Sequence, residues 1–384
     1  MAGGVSSWAK VRRGDFLDEE ERFEILVCPE NGDGVYTQVM KLESIPNLSF
    51  NFDVKEIPHV ETGIELLRDG LCDMLAVSAN WWYNNRTNDL SASIVMPRRE
   101  PTSMLISEDK PEYIPNNGII IAYNEITRRQ MLRARPDIDV KLPTEFGDVP
   151  SSNYEFVNWL EKLRNNNEID GYIIPRSLNS IIDFRTRKHT LGLQRENPVR
   201  FRFVPIPLEG YTILLSRIDF PAHKLASIVD QGAALSMRME FLMLDSIPSE
   251  MHNRIALFVE QRKVATVLNE AEKAGDELAR KGMINRITGE IEGSTRIYSV
   301  IETINNSGDT TASVEKVFPP EDSHSSILTV LNNWNLLLTV MQEENHKNEK
   351  RGRIKEIMDA YIAEQISLGS INADDVDSPM MTDL

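Results

Sequence analysis

Apolar and polar residues alternate in two periods along this 384-residue chain. In ERFEILVCPENG, Phe23, Ile25, Leu26 and Val27 precede Asn31, Gly32, Asp33 and Gly34, which predicts a buried strand running into a turn. Val35, Val39 and Leu42 mark a short helix, and Phe50, Phe52 and Val54 alternate as a second strand. Ile64, Leu66 and Leu67 open a helix that Gly70 stops, and Cys72 to Val77 reads as a third strand. The order restarts beyond Pro111, Pro115 and Gly118. There IIIAY is a strand, ITRRQMLRAR a helix and Val140 to Leu142 a strand. A helix from Tyr154 to Arg164 follows, with Phe156, Val157, Leu160 and Leu163 on one face, and then the strand GYIIP. Strands alternating with helices predict parallel sheets, so the fold class is α/β in two units of similar size, the second spanning residues 111–203.

The pattern changes near Met237. Ala256 to Lys281 reads as a helix ending at Gly282, Ile297 to Ile301 and Ala312 to Phe318 as strands, and Ile327, Leu328, Leu331 and Leu336 to Leu338 as another helix. Residues 237–340 are therefore expected to form a smaller C-terminal α+β domain. In residues 341–384, Ile354, Ile357, Met358, Tyr361, Ile362 and Ile366 recur at helical spacing up to Gly369. This amphipathic helix docks either on its own protein or on a protein partner. The acidic stretch INADDVDSPMMTDL follows it.

Composition narrows the function classes. Forty-two Lys and Arg against 59 Asp and Glu give a formal charge of -17, a field that opposes nucleic acid and anionic membranes. The stretch 185–202 runs against that balance, with Arg185, Arg187, Lys188, Arg195, Arg200 and Arg202. It is either an anion-binding segment or a solvated crossover loop. Cys28 and Cys72 alone do not make a disulfide framework, and MAGGVSSWAKVRRGD lacks the apolar core of a signal peptide. A cytoplasmic protein with no membrane span is the expectation. Six scattered histidines show no metal-ligand spacing, NGDG at 31–34 is a turn rather than a phosphate loop, and no G-x-S-x-G elbow occurs.

Several ordered segments carry a resemblance. GIELLRDGLCDMLAVSAN, with Asp73 and Ser78, is similar to the helix, Asp and strand that deliver the catalytic turn of the porphobilinogen deaminase (hydroxymethylbilane synthase) family. MPRREPTSMLIS resembles that family's Arg-x-Asp-Pro-Arg-Asp run through Arg98, Glu100 and Pro101. GIIIAYNEITRRQMLRARPDIDV resembles Gly-Thr-Ser-Ser-Leu-Arg-Arg-x-x-x-Leu through Arg128, Arg129, Leu132, Arg135, Pro136 and Asp137, with one extra residue before the pair. GDVPSSNYEFVNWL and EIDGYIIPRSLNSI match in the same order. IVDQGAALSMRME, through Gln231, Gly232 and Ala233, is similar to the Val-Gly-Gln-Gly-Ala strand on which the chain returns to its first domain.

The resemblance implies two periplasmic-binding-protein-like α/β domains around a cleft, the first formed by residues 20–110 with 204–236. It implies haem-pathway tetrapyrrole biosynthesis by a transferase that joins porphobilinogen units on a dipyrromethane cofactor. Arg128 and Arg129, with Ser78 and Gln38, would bind a small anionic, porphobilinogen-like substrate through its carboxylates. The chain departs from the pattern at decisive places. Trp81 stands where the catalytic Asp belongs, and an indole relays no proton; the nearest following acid is Asp89. Pro29, Glu30 and Asn31, then Phe146, and then Ser152 or Asn153 replace three arginine clamps. No cysteine lies beyond Cys72, and Glu272 occupies the position nearest the cofactor attachment, so no cofactor is expected. Two readings follow: a deaminase-like enzyme using another acid, or a non-catalytic relative (a pseudoenzyme) that binds an anionic small molecule or a partner protein in the cleft. Trp81, Trp82 and Tyr83 form either a stacking platform there or part of the core.

Overall fold

The computed structural model describes residues 21–44, 50–182, 185–195, 201–284, 288–289, 291 and 293–341. The first lobe begins with β1 (Glu21–Val27), α1 (Val35–Val39), β2 (Phe50–Glu56), α2 (Val60–Arg68), β3 (Met74–Ser78), the short α3 (Ala79–Asn84) and β4 (Leu90–Val95). Residues 96–102 cross to a second lobe of β5 (Ser103–Ser107), β6 (Ile119–Ala122), α4 (Glu125–Ala134), β7 (Asp139–Lys141), α5 (Asn153–Asn165), β8 (Gly171–Pro175) and β9 (Lys188–Leu191). The chain returns to the first lobe at β10 (Thr212–Arg217).

Both lobes have one topology. The first sheet runs β2-β1-β3-β10-β4 and the second β7-β6-β8-β5-β9. In each, four strands run parallel, and the fourth in sheet order, which arrives directly from the other lobe, lies antiparallel between two of them. The central strands are continuous apolar runs because helices cover both faces; all five residues of β8 are buried. The result is a two-lobed, periplasmic-binding-protein-like α/β fold around a cleft, with a smaller sheet domain after it.

That third unit comprises α6 (Gln231–Asp245), β11 (Ile255–Lys263), α7 (Val264–Ala274), α8 (Glu277–Gly282), β12 (Thr295–Ile304), β13 (Thr311–Phe318) and a helix over residues 323–341, with sheet order β11-β12-β13. It corrects two expectations. Ala256 to Lys263 is strand, not helix. Leu257 and Val259 pack into a core shared with the first lobe, while Ala256 and Phe258 face Ile126 and Val204 on the other side. A strand buried on both faces has no polar alternation, so its pattern cannot be told from a buried helix. Gln231, Gly232 and Ala233 likewise form no returning strand. Asp230 caps α6 there, its Oδ1 accepting the Ala233 N–H at 2.9 Å, and the returning strand is β10. Within the basic stretch, residues 188–191 form the edge strand β9, while Arg195 and Arg202 pair with Glu260 and Glu315 of the third domain at 2.9 and 2.6 Å. The helix expected over 354–366 and the acidic tail lie outside the described residues. No helix among the described residues is long and apolar enough to cross a membrane.

One buried ion pair joins the two crossovers to the third domain. Glu240 of α6 is 0% exposed and the Arg98 side chain, on the outgoing crossover, 10%. Arg98 Nη1 donates to Glu240 Oε1 at 2.8 Å, to the Tyr211 hydroxyl at 2.9 Å and to Val259 O at 3.0 Å, and Nε donates to Glu209 O at 2.9 Å. Glu240 also accepts the Leu208 N–H at 2.7 Å and the Val259 N–H at 2.9 Å. The guanidinium lies 4.0 Å from the Tyr211 ring centroid and 4.7 Å from that of Phe258. Removing either partner leaves the other charge buried and uncompensated. Arg98→Met or Glu240→Leu alone is expected to destabilise the protein by about 3–5 kcal/mol in urea unfolding at neutral pH, and the double variant by clearly less than the sum. Additive losses would contradict the coupling.

Candidate functional site

The cleft opens at the C-terminal ends of the parallel strands, where open α/β sheets present their loops to ligands. The turn after β1 brings Asp33, and the end of β3 brings Ser78. Ser78 Oγ caps α3 by accepting the Trp81 N–H at 3.3 Å, which sets Asn80 and Trp81 on the cleft wall. The crossovers bring Arg99 and Glu209, and the second lobe brings Tyr123, Asn153 and Ser177. Together they enclose about 610 Å³. The lobes touch across the front: Asn153 Nδ2 donates to Asn31 O at 2.7 Å and Ser180 Oγ to Gly32 O at 3.4 Å. At the back, Asn80, Asn84 and Ile206 are shared with a 240 Å³ recess that His252 and Asn253 of the third domain help to close.

Arg99 is built into the wall. Its Nη1 donates to Asp33 O at 2.6 Å, and its backbone N–H donates to Gly210 O at 2.9 Å. Gly34 and Gly210, at φ +77° and +84°, leave room for it: a Cβ on Gly34 would stand 2.1 Å from Nη1, and one on Gly210 2.6 Å from Arg99 O. Burial lowers the pKa of this guanidinium, against the attraction of Asp33 and Glu209. Its buried Nε has no hydrogen-bond partner.

The two carboxyls flanking Arg99 are the unusual feature. Burial raises the pKa of Asp33, although its Oδ1 accepts the Val35 N–H at 3.1 Å and Arg99 opposes the rise. Burial likewise raises that of Glu209, opposed by the Ser177 hydroxyl, Arg99 and Arg98 and reinforced by Asp33. Among the described residues neither carboxylate forms an ion pair, and Glu209 Oε1 is buried without a partner.

The residues singled out from sequence divide. Ser78 and Trp81 line the cleft, as do Glu30, Asn31, Ser152 and Asn153, where the resembled family has arginines. Arg128 and Arg129 do not line it. Glu125, one turn earlier on α4, takes Arg128 Nε at 2.9 Å and Arg129 Nε at 2.6 Å. Arg129 Nη1 and Nη2 then donate to Ile304 O at 2.6 Å, at the end of β12, and to Asn306 Oδ1 at 2.5 Å, in the turn that follows. The pair thus fastens the second lobe to the third domain, together with Arg133 on Glu302 at 2.9 Å. Gln38 donates to Pro97 O at 2.7 Å, which ties α1 to the crossover outside the cleft. Glu272 is exposed on α7. Asp89 pairs with Arg68 at 2.6 Å, which lowers its pKa to about 2, and it does not line the cleft either. Of the three adjacent aromatics, Trp82 is buried, Tyr83 packs on Phe241 and His252, and only Trp81 lines the chamber. Sequence reading missed Asp33, Arg99, Tyr123, Ser177 and Glu209. The one available signal was NGDG at the end of a buried strand.

No protein-family profile matches the chain, and no curated protein does. Solved structures similar to it include the ligand-binding component of an ABC-type import system from Staphylococcus aureus, with zinc bound. It is 13% identical, with 58% of this chain and 73% of that chain covered and a TM-score of 0.31. Another is a putative methionine-binding lipoprotein from Bacillus subtilis, 10% identical over 54% and 90%, TM-score 0.31. A third is the regulatory domain of OxyR2 from Vibrio vulnificus, in its reduced form, 13% identical over 55% and 93%, TM-score 0.29.

A raised carboxyl pKa in the fold means that folding favours the protonated form. The stability it contributes is lost as pH rises through the folded value. Glu209→Gln is therefore expected to melt at a higher temperature than the parent protein near pH 8, the gap closing toward about pH 4.5, as the ordinary carboxylate range is approached. Calorimetric scans across that range check it, and a lower melting temperature at the alkaline end would contradict it.

Proposed function

We propose that this chain is a small-molecule-binding protein that holds its ligand between the two lobes without the tetrapyrrole-assembling chemistry of the family it resembles. The observation that carries this reading is the chamber of about 610 Å³, in which polar side chains from both lobes and both crossovers converge. That volume falls within the ~300–1,000 Å³ of small-molecule sites. The polar groups that a ligand would satisfy are in place, whereas Trp81 holds the position of the family's acid.

The family's cofactor chemistry finds no support in the thiols. Cys28 and Cys72 are both buried in the first lobe, and burial pushes the Cys72 thiol up to about 11, the opposite of an activated nucleophile. One observation favours the enzymatic reading: Asp33 brings an acid with a raised pKa to the cleft beside Ser78, where Trp81 has removed one. In that case purified protein supplied with dipyrromethane consumes porphobilinogen.

Native mass spectrometry of the protein purified from its own host separates the readings. The expected result is a non-covalent small molecule that is released on denaturation and absent from a folded Ser177→Trp variant, in which the indole fills the chamber. A bare polypeptide from wild-type protein would contradict the binding reading. A covalent pyrrole adduct, or turnover of porphobilinogen, would restore the deaminase.

A further inference from the structure

We propose that the ligand of the interlobe cleft carries an ammonium group, held by the Asp33 and Glu209 carboxylates beside Trp81 and Tyr123. This rests on reading the cleft as a small-molecule site, and it sets the sign of the ligand.

The charges of the chamber decide that sign. Its ionisable lining groups are Glu30, Asp33, His59, Arg99, Tyr123 and Glu209. Glu30 and His59 are exposed on the first lobe. Among the described lining residues Arg99 is the only arginine or lysine, and its Nη1 is committed to the Asp33 carbonyl. An anionic ligand would oppose still further the ionisation of two carboxyls that burial already disfavours. The arginines that could have balanced it, Arg128 and Arg129, are turned onto Glu125 and the third domain. An ammonium does the reverse, adding a second cation beside Arg99 that favours the ionised form of both carboxyls in a setting of reduced dielectric.

Two further observations point the same way. Tyr123 is 36% exposed and Trp81 half-buried, so both present aromatic surface to the chamber, and indole and phenol rings attract cations through their π faces. Glu209 Oε1 is buried on the chamber wall with no hydrogen-bond partner, although its backbone is pinned by Arg98. An acceptor held in place and left unsatisfied is an unfavourable arrangement for the fold alone, and a ligand whose ammonium donates to it, with a neighbouring acceptor for the equally unpartnered Arg99 Nε, relieves both.

Benzylamine and benzoate, which share a ring and differ in charge, test the inference by ligand-observed NMR near neutral pH. Benzylamine is expected to bind at least tenfold more tightly than benzoate. Asp33→Asn and Glu209→Gln, each checked for folding by circular dichroism, are expected to weaken it tenfold or more, while the exposed-site control Glu272→Gln leaves it unchanged. Preference for benzoate, abolished by Ser177→Trp, would overturn the ammonium assignment and leave the cleft reading standing. Undiminished benzylamine binding in the Asp33→Asn/Glu209→Gln double variant overturns it as well, as does a co-purified molecule that lacks an amine. Binding of neither probe, together with a bare native mass, sinks both proposals.

Discussion

The buried Arg98–Glu240 pair is the constraint on which the rest of the molecule depends. Two polypeptide segments pass between the lobes, and a guanidinium on one of them reaches the backbone of the other, the first helix of the third domain and the first strand of its sheet. A charge with so little exposure is tolerated because Nη1, Nε and the guanidinium faces are answered by a carboxylate, two carbonyls, a hydroxyl and two aromatic rings, Nη2 being left without a partner. The same pair holds Leu208 at φ +62°, a backbone conformation that costs a leucine energy and needs a surrounding structure to enforce it.

From that anchor the cleft follows. Arg98 holds the Glu209 carbonyl, Glu240 holds the Leu208 N–H, and Arg99 follows Arg98 in sequence, so Arg99 and Glu209 are delivered together to the chamber. The third domain then acts as a brace. It shares one hydrophobic core with the first lobe and meets the second through Arg129, Gln130 and Arg133 of α4, the last two on Glu302. A hinge confined to the crossovers would have to break these buried contacts for the lobes to swing apart. Arg128 and Arg129, expected from the resemblance to grip a substrate, bond instead to Glu125, and Arg129 also to the end of β12.

Much of this was legible in the sequence where one face of an element meets solvent. The periodicities of α2, α4 and α5 and the short apolar runs of β1, β3, β6 and β8 mark themselves. β11 was not legible, because burial on both faces erases the alternation that identifies a strand. In the site, Ser78 and Trp81 were readable because strand, cap and helix start are contiguous. The role of Arg128 and Arg129 was written in the Glu125 that precedes them by three and four residues, a spacing that pairs charges along one helix face. Asp33 and Glu209 could not be paired from sequence, since only the return of the chain on β10 brings the two turns to one wall.

The central claim, a cleft built to hold an amine, is tested most directly by a crystal structure of the protein isolated from its own host. The expected result is electron density in the interlobe chamber with a nitrogen within hydrogen-bonding reach, ~3 Å, of the Asp33 and Glu209 carboxylates. Density for a carboxylate or phosphate group at Arg99, with Asp33 and Glu209 turned away from it, would contradict the account.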